Sequence, residues 1–134
     1  MNLNATSQYA LKCISFIALE PQKLYSAKEI SQSLDIPYKY LTKIMTKLSK
    51  NGVLTAIQGR AGGFVLAHDT KQLTIKDVLN ALEDDSYKLC ILGGGLCNQD
   101  RKCQLHDLWK DPKKVVNNDF LEKTFYEISH QKTA

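Results

Sequence analysis

The chain has 134 residues, of which 43% are apolar and 24% charged, and its net charge is +4. This length suits one domain with a modest core. The sequence has no apolar stretch of membrane-spanning length and begins without the basic and apolar segments of a signal peptide, so we expect a cytoplasmic protein with no membrane partner.

The positive charge is concentrated in the first half of the chain. Residues 1–60 contain eight Lys and Arg against three acidic residues, whereas residues 61–134 contain ten against eleven. An excess of this kind on one part of a protein is typical of polyanion binding, although a solvated surface can also carry surplus lysine. The first half is therefore the candidate nucleic-acid interface.

Helical periodicity predicts a first helix over residues 5–20. Apolar residues recur at helical spacing from Ala10 to Ala18, and Pro21 ends the pattern. A stripe this broad indicates core. We expect Cys13, which lies within it, to be a small buried residue rather than a ligand.

Capping signals predict a helix-turn-helix next. Ser26 and Glu29 have the spacing of a capping box for a short helix that ends at Leu34. Pro37 suits the start of a second helix, which Asn51 and Gly52 end. Two helices joined by so short a turn are typical of this motif. The apolar residues that we expect the second helix to direct inward are Tyr38, Leu41, Ile44, Met45 and Leu48.

The opposite face of the second helix is basic and contains no acidic residue. Lysines there can neutralise phosphates, and Thr and Tyr can bond to phosphates or base edges. The alternative, a solvated lysine face, is weakened by the absence of acids. The polar residues of this face and of the first turn are Tyr38, Lys39, Tyr40, Thr42, Lys43, Thr46, Lys47 and Lys50.

Two short runs of β-forming residues, 53–57 and 64–67, follow this helix and predict a hairpin. A hairpin directly after a helix-turn-helix is a wing, and Arg60 at its glycine-rich tip can enter the minor groove. The tip does not match a nucleotide-binding phosphate loop. The candidate DNA-binding residues are Ser26, Lys28, Pro37, Tyr38, Lys39, Tyr40, Thr42, Lys43, Lys47, Gln58, Gly59 and Arg60.

Thr74 is predicted to cap a helix over residues 74–83, with Asp77 at its third position. The acidic residues 83–85 close this helix. We expect its inward-facing residues to be Ile75, Val78, Leu79 and Leu82.

A cysteine-rich segment follows this helix. Cys90, Cys97 and Cys103 lie in this segment, and His106 follows one helical turn later. Thiolate and imidazole are good ligands for zinc or an iron–sulfur cluster. The alternatives are a structural zinc site, a thiol redox sensor without metal, or a glycine-rich loop with incidental thiols. An enzyme using Cys103 and His106 lacks a supporting constellation, and no catalytic residue is predicted.

Apolar residues recur with helical spacing after the cysteines and predict a dimerisation helix, which Pro112 either kinks or restarts. An intramolecular core helix is the alternative. We expect residues 1–84 to form the winged domain, 85–104 the cysteine loop, and 105–134 the dimerisation helix and tail, in a mainly α fold with a small β-hairpin. The apolar set is Leu105, Leu108, Trp109, Val115, Val116, Phe120, Leu121, Phe125 and Ile128, within which the predicted dimer interface is Leu108, Trp109, Val115, Val116 and Phe120.

The order of these parts resembles the IscR/NsrR-type family of winged-helix regulators along nearly the whole chain. The resemblance is carried by the residues around Tyr9, by 48–52 before the hairpin, by 59–64 at its tip, and by 74–78. It is also carried by the three cysteines and by residues 103–106 with 108–109. Each motif is weak alone, but their order and spacing together are specific.

The resemblance implies a homodimeric transcription factor, often a repressor, that binds a palindromic operator in double-stranded DNA. It further implies an iron–sulfur cluster, and the IscR-like pattern implies a 2Fe–2S cluster with Cys90, Cys97, Cys103 and His106 as ligands. An NsrR-like nitric oxide sensor is the alternative, but Gln8 stands where that branch has a carboxylate ligand. Thr42 departs from the acid usual in IscR-like proteins, and the first cysteine gap is one residue longer.

Overall fold

The computed structural model describes residues 3–89 and 103–131. Within them the chain forms six α-helices and one antiparallel hairpin, which confirms the mainly α class with a small β-hairpin. None of these helices has the length and apolar character needed to cross a bilayer. The elements are α1 (Ala5–Leu19), α2 (Ala27–Leu34), α3 (Tyr38–Lys50), β1 (Leu54–Ile57), β2 (Gly63–Leu66), α4 (Ile75–Ala81), α5 (His106–Asn118) and α6 (Phe125–Ser129).

Helix α1 lies at the centre of the core. Asn4 caps it, because its side-chain oxygen accepts a hydrogen bond from the backbone nitrogen of Ser7 at 2.8 Å. The buried face is the one predicted from periodicity, with Ala10, Cys13, Ile14, Ile17 and Ala18 at most 3% exposed. Helices α2, α3, α4 and α6 all contact α1, so this helix joins the N-terminal and C-terminal parts of the chain.

Helices α2 and α3 form the predicted helix-turn-helix. The Ser26 hydroxyl accepts a hydrogen bond from the backbone nitrogen of Glu29 at 3.1 Å and caps α2. The other half of the predicted capping box is wrong, because the Glu29 carboxylate accepts a hydrogen bond from Lys23 Nζ at 2.7 Å instead. Asp35 ends α2 in the left-handed conformation, with φ of 53°. This residue turns the chain so that α3 begins three residues later.

The predicted inward face of α3 is confirmed with one correction. Leu41, Ile44, Met45 and Leu48 are buried, but Tyr38 is 54% exposed. Tyr38 is the first residue of α3 and precedes the first buried position, Leu41, by nearly a full turn. It therefore lies on the exposed start of the helix, and only its assignment to the polar first turn agrees with the structure.

The hairpin pairs Leu54 with Leu66 at its base and Ile57 with Gly63 near its tip. Backbone hydrogen bonds between Tyr25 and Phe64, at 2.7 and 3.0 Å, attach β2 to the segment before α2. A Cβ at Gly63 would lie 2.5 Å from the Tyr25 carbonyl oxygen, so a side chain there would disrupt this attachment. These bonds fix the hairpin beside the helix-turn-helix.

Helix α4 begins with the predicted cap. Thr74 and Asp77 form a complete capping box, with hydrogen bonds of 3.0 and 3.2 Å. The apolar residues predicted to face inward are all buried, and they are Ile75, Val78, Leu79 and Leu82. A short 3-10 turn, Ser86–Lys88, then leads toward the cysteine-rich segment.

The predicted C-terminal helix is divided in two. Helix α5 runs through Pro112 and ends at Asn118, after which a 3-10 turn leads to α6. A second capping box, formed by Thr124 and Glu127, starts α6. Leu121 and Phe125, which belong to the apolar set but not to the predicted dimer interface, are fully buried. They lie in the protein's own core because α6 packs against α1.

We expect Phe125→Ala to destabilise the fold by about 3–5 kcal/mol, since it removes a fully buried aromatic side chain and leaves a cavity. Tyr126→Ala, at the exposed neighbouring position, is the matched control and should cost less than about 1 kcal/mol. Urea unfolding followed by circular dichroism gives both free energies. Equal effects of the two substitutions would contradict the packing of α6 in the core.

Candidate functional site

The exposed face of α3 is polar and, as predicted, contains no acidic residue. The side chains of Lys39, Lys43, Thr46 and Lys50 are exposed on it. The buried residues of α3 anchor the opposite face, so the lysines project away from the core. Such a face can place positive charge against a phosphate backbone.

Two hydrogen bonds close the turn between α2 and α3. The Ser31 hydroxyl donates a hydrogen bond to the Ile36 carbonyl oxygen at 2.7 Å, and the Ile36 backbone nitrogen donates to the Ser31 carbonyl oxygen at 3.1 Å. Ile36 is buried. Pro37 then occupies the residue before α3, where its fixed φ suits a helix start.

The threonines of α3 use their hydroxyl protons within the helix. Thr42 donates to the Tyr38 carbonyl oxygen and Thr46 to the Thr42 carbonyl oxygen, each at 2.8 Å. Their hydroxyl oxygens are left to act as acceptors. An exocyclic base amine is a donor that such an oxygen can accept from.

Two predicted DNA-binding residues are held by other parts of the protein. The Tyr40 hydroxyl is hydrogen-bonded to Thr6 Oγ1 at 2.7 Å, and the Tyr40 ring packs edge-to-face on Tyr9 at 5.4 Å between centroids. Lys47 Nζ donates to the Leu82 carbonyl oxygen at 3.4 Å. Both side chains are half-buried and connect α3 to its neighbours.

The remaining predicted DNA-binding residues lie at two exposed places. Ser26 and Lys28 are exposed at the start of α2, where the Ser26 oxygen caps the helix. Gln58, Gly59 and Arg60 are exposed at the hairpin tip. A turn closed by the Gly62 backbone nitrogen and the Gly59 carbonyl oxygen, at 3.0 Å, shapes this tip.

The structure describes only half of the predicted ligand set. Cys103 is half-buried and His106 is 5% exposed. They lie one turn apart at the start of α5, where the His106 backbone nitrogen donates to the Cys103 carbonyl oxygen at 3.1 Å. Cys90 and Cys97 lie outside the described residues. Within residues 3–89 and 103–131, no group of three or more potential metal ligands occurs.

The fourth cysteine, Cys13, differs chemically from a metal ligand. It is fully buried in α1, and burial raises the pKa of its thiol to about 12. Because the thiolate is the metal-binding form, this environment disfavours coordination. The structure thus supports the assignment of Cys13 to the core.

A buried carboxylate lies between α4 and the cysteine-rich segment. Asp84 is 6% exposed and accepts hydrogen bonds from the Ser7 hydroxyl and, at 2.9 Å, from the Ser86 backbone nitrogen. Burial by itself raises the pKa of Asp84, but the hydrogen bonds from Ser7 and Ser86 outweigh it and hold the pKa below its ordinary value. Sequence reasoning missed this residue because it lies in an acidic run, 83–85, that has the pattern of a solvated loop.

The predicted dimer residues divide between an exposed and a half-buried group. Leu108 is 77% exposed, Val115 62% and Phe120 48%. Trp109 and Val116 are half-buried, and Val116 packs on the small cluster around Leu79 and Leu121. Leu108 and Val115 lie on α5, and Phe120 lies in the 3-10 turn that follows it. Exposed apolar residues that cluster on a protein surface are typical of interaction sites.

Comparison with protein families matches residues 3–131 to the model described as "Rrf2: Iron-dependent Transcriptional regulator". A protein of Aquifex aeolicus whose name describes an HTH-type transcriptional regulator is 31% identical over 131 residues, covering 96% of this chain and 91% of the relative. The HTH-type transcriptional regulator IscR of Cronobacter sakazakii is 29% identical over 112 residues, covering 83% of this chain and 69% of the relative.

Solved structures share the fold at lower identity. The structure of CymR from B. subtilis, described as the global cysteine regulator, has a TM-score of 0.80 at 20% identity and covers 98% of this chain and 99% of its own. The IscR structure from T. potens has a TM-score of 0.70 at 15% identity, covering 100% of this chain and 94% of its own.

The lowered pKa of Asp84 predicts an acid-dependent contribution to stability. The contribution is fully present above the ordinary carboxyl pKa and is lost as the pH falls through the lowered pKa of the folded state. We expect Asp84→Asn to destabilise the protein by about 1–2 kcal/mol near pH 7, and by less near pH 3. Urea titrations at both pH values measure this, and a difference that grows in acid would exclude a lowered pKa.

Proposed function

Because the chain belongs to the Rrf2 family of transcriptional regulators, we propose that it is a homodimeric repressor whose operator affinity is controlled by an iron–sulfur cluster. The observation that carries the DNA-binding part is the exposed, acid-free lysine face of α3 beside the attached hairpin. In a winged helix, this face enters the major groove and the hairpin tip reaches the adjacent minor groove.

The proposed DNA contacts fall into three groups. Lys39, Lys43 and Lys50 neutralise phosphates along the major groove, and Thr42 presents a hydroxyl acceptor near them. The start of α2 contributes Ser26 and Lys28, with Pro37 and Tyr38 at the start of α3. At the hairpin tip, Gln58 and Gly59 position Arg60 toward the minor groove. We assign Tyr40 and Lys47 to positioning, since their polar atoms bond Thr6 and Leu82.

The proposed cluster ligands are Cys90, Cys97, Cys103 and His106. The donor set fits the group, because three thiolates and an imidazole are ligands that iron–sulfur clusters accept. The two described members, Cys103 and His106, lie one helical turn apart, and His106 is buried from solvent. A bound 2Fe–2S cluster supplies a redox-active and oxidant-sensitive group. The protein's own part is to hold it at the junction between α4 and α5.

The proposed dimer uses α5. Leu105, Leu108 and Val115 are exposed and separated by three and seven residues, so they share one face of the helix. A second copy of the chain presents the same apolar face, as a two-fold symmetric interface requires. Such a dimer would present two copies of α3 to the two halves of a palindromic operator.

We expect Lys43→Ala to weaken operator binding. The slope of log Kd against the logarithm of the salt concentration should fall by about 0.9 for each phosphate that the variant leaves unneutralised. Arg60→Ala should weaken binding most at A·T-rich flanks, where the minor groove is narrow. The measurement is a salt series of fluorescence anisotropy titrations with a duplex selected from a random-sequence pool. Lys71→Ala, which removes an exposed lysine beside α6, is the control. If it weakens binding as much as Lys43→Ala, the α3 face is not the interface.

We expect protein reconstituted anaerobically with iron and sulfide to gain visible absorbance that depends on the predicted ligands. Cys90→Ala, Cys97→Ala and Cys103→Ala should each abolish the colour, whereas His106→Ala should give a more labile cluster. Cys13→Ala is the control and should keep the colour, because this thiol is buried with a pKa raised to about 12. Stoichiometric zinc without colour would favour a structural zinc site instead. A disulfide without metal would favour a thiol sensor.

A further inference from the structure

Residues 81–84, at and directly after the end of α4, contact the C-terminal end of α3. Asn51 Nδ2, directly after α3, donates a hydrogen bond to the Ala81 carbonyl oxygen at 2.8 Å. Lys47 Nζ, in the last turn of α3, donates to the Leu82 carbonyl oxygen at 3.4 Å. These donors satisfy carbonyls at the end of α4 that lack partners within the helix. A displacement of residues 81–82 would therefore act on the end of α3.

The same segment reaches the N-terminal end of α3 through α1. The Asp84 carboxylate accepts a hydrogen bond from the Ser7 hydroxyl. Thr6, the preceding residue of α1, is hydrogen-bonded to the Tyr40 hydroxyl in the first turn of α3 at 2.7 Å. The ring of Tyr40 also packs edge-to-face on Tyr9, with an interplanar angle of 78°. The first turn of α1 is therefore held by Asp84 and in turn holds the start of α3.

The buried position of these contacts makes them sensitive to displacement. Ser7 is fully buried and Asp84 is 6% exposed. A buried carboxylate that loses a hydrogen bond cannot replace it readily with water, so a partial displacement is costly. A displacement of Asp84 would therefore carry Ser7 with it, as transmission through a hydrogen-bond network requires.

Asp84 also contacts the turn that precedes the predicted cluster ligands in the chain. Its second oxygen accepts a hydrogen bond from the Ser86 backbone nitrogen at 2.9 Å, which fixes the start of the 3-10 turn Ser86–Lys88. Tyr87 in this turn is buried, and its hydroxyl donates to Asn80 Oδ1 at 2.9 Å. This turn ends two residues before Cys90. A change in the position of the chain at residue 89 would therefore act on Asp84.

We propose that residues 81–84 form a coupling segment through which the state of the cysteine-rich region sets the tilt of α3. Its positioning residues are Asp84, Ser7, Thr6 and Tyr40 toward the start of α3, and Asn51 at its end. The proposal rests on the proposed function, in which the cysteine-rich region carries the sensor. It assigns to Tyr40 a role that needs no contact with DNA.

The test is the ratio of operator Kd values for metal-free and iron–sulfur-loaded protein at matched salt. Tyr40→Phe removes the bonded hydroxyl but keeps the ring on Tyr9, and Thr6→Val removes the partner oxygen with little change in volume. The double variant Thr6→Val/Tyr40→Phe completes a mutant cycle. Tyr126→Phe is the matched control, because it removes an exposed tyrosine hydroxyl on α6. Chemical denaturation of each variant checks that the fold is retained.

We expect the wild-type ratio to differ from one by about 5- to 150-fold in either direction. Tyr40→Phe and Thr6→Val should each bring the ratio closer to one by about two- to thirtyfold. The ratio for the double variant should differ little from that of either single variant. Tyr126→Phe should keep the wild-type ratio. Equal loss of affinity in both forms of Tyr40→Phe would indicate a DNA contact and overturn the proposal. An unchanged ratio in both single variants would overturn it too, whereas a wild-type ratio of one would refute the proposed function itself.

Discussion

The hydrogen bond between the Ser7 hydroxyl and the Asp84 carboxylate is the contact on which the rest of the arrangement depends. Both groups are buried, so the first turn of α1 and the end of α4 are fixed to each other. The start of α3 is attached to that turn of α1, and the end of α3 is attached to residue 81. The helix with the basic face is thus connected at its end directly, and at its start through α1, to residues 81–84, which precede the cysteine-rich region in the chain.

The basic face and the hairpin form one surface because the backbone joins them. Tyr25, next to the cap of α2, bonds Phe64 in β2, so the hairpin tip stays in a constant position relative to the helix-turn-helix. In the proposed regulator, a surface built in this way would change its fit to DNA by tilting rather than by unfolding. Two such surfaces in a dimer would need only a small tilt to lose register with two half-sites. A modest free energy from a sensor is then enough to control binding.

Local signals predict most of the fold. Thr74 with Asp77 marks the start of α4, and the apolar stripe of α1 identifies its buried face, because capping and periodicity act within a few residues. The inward prediction for Tyr38 is wrong because a hydrophobic pattern does not show which residues at the end of a helix extend beyond the helices that it packs against. The burial of Phe125 does not follow from the sequence, because the same pattern fits packing on α1 or on a second copy. Asp84 cannot be found from the sequence, since only the folded chain brings it to Ser7, which is 77 residues away.

The central claim, that the cysteine-rich region controls the position of α3, is tested most directly by amide hydrogen exchange of iron–sulfur-loaded and metal-free protein in the absence of DNA. Exchange reports local opening and does not require a known operator. The account predicts that cluster loss changes the exchange of the first turn of α1 and of both ends of α3, in addition to residues 85–106. Changes confined to residues 85–106, with α1 and α3 unaffected, would contradict it.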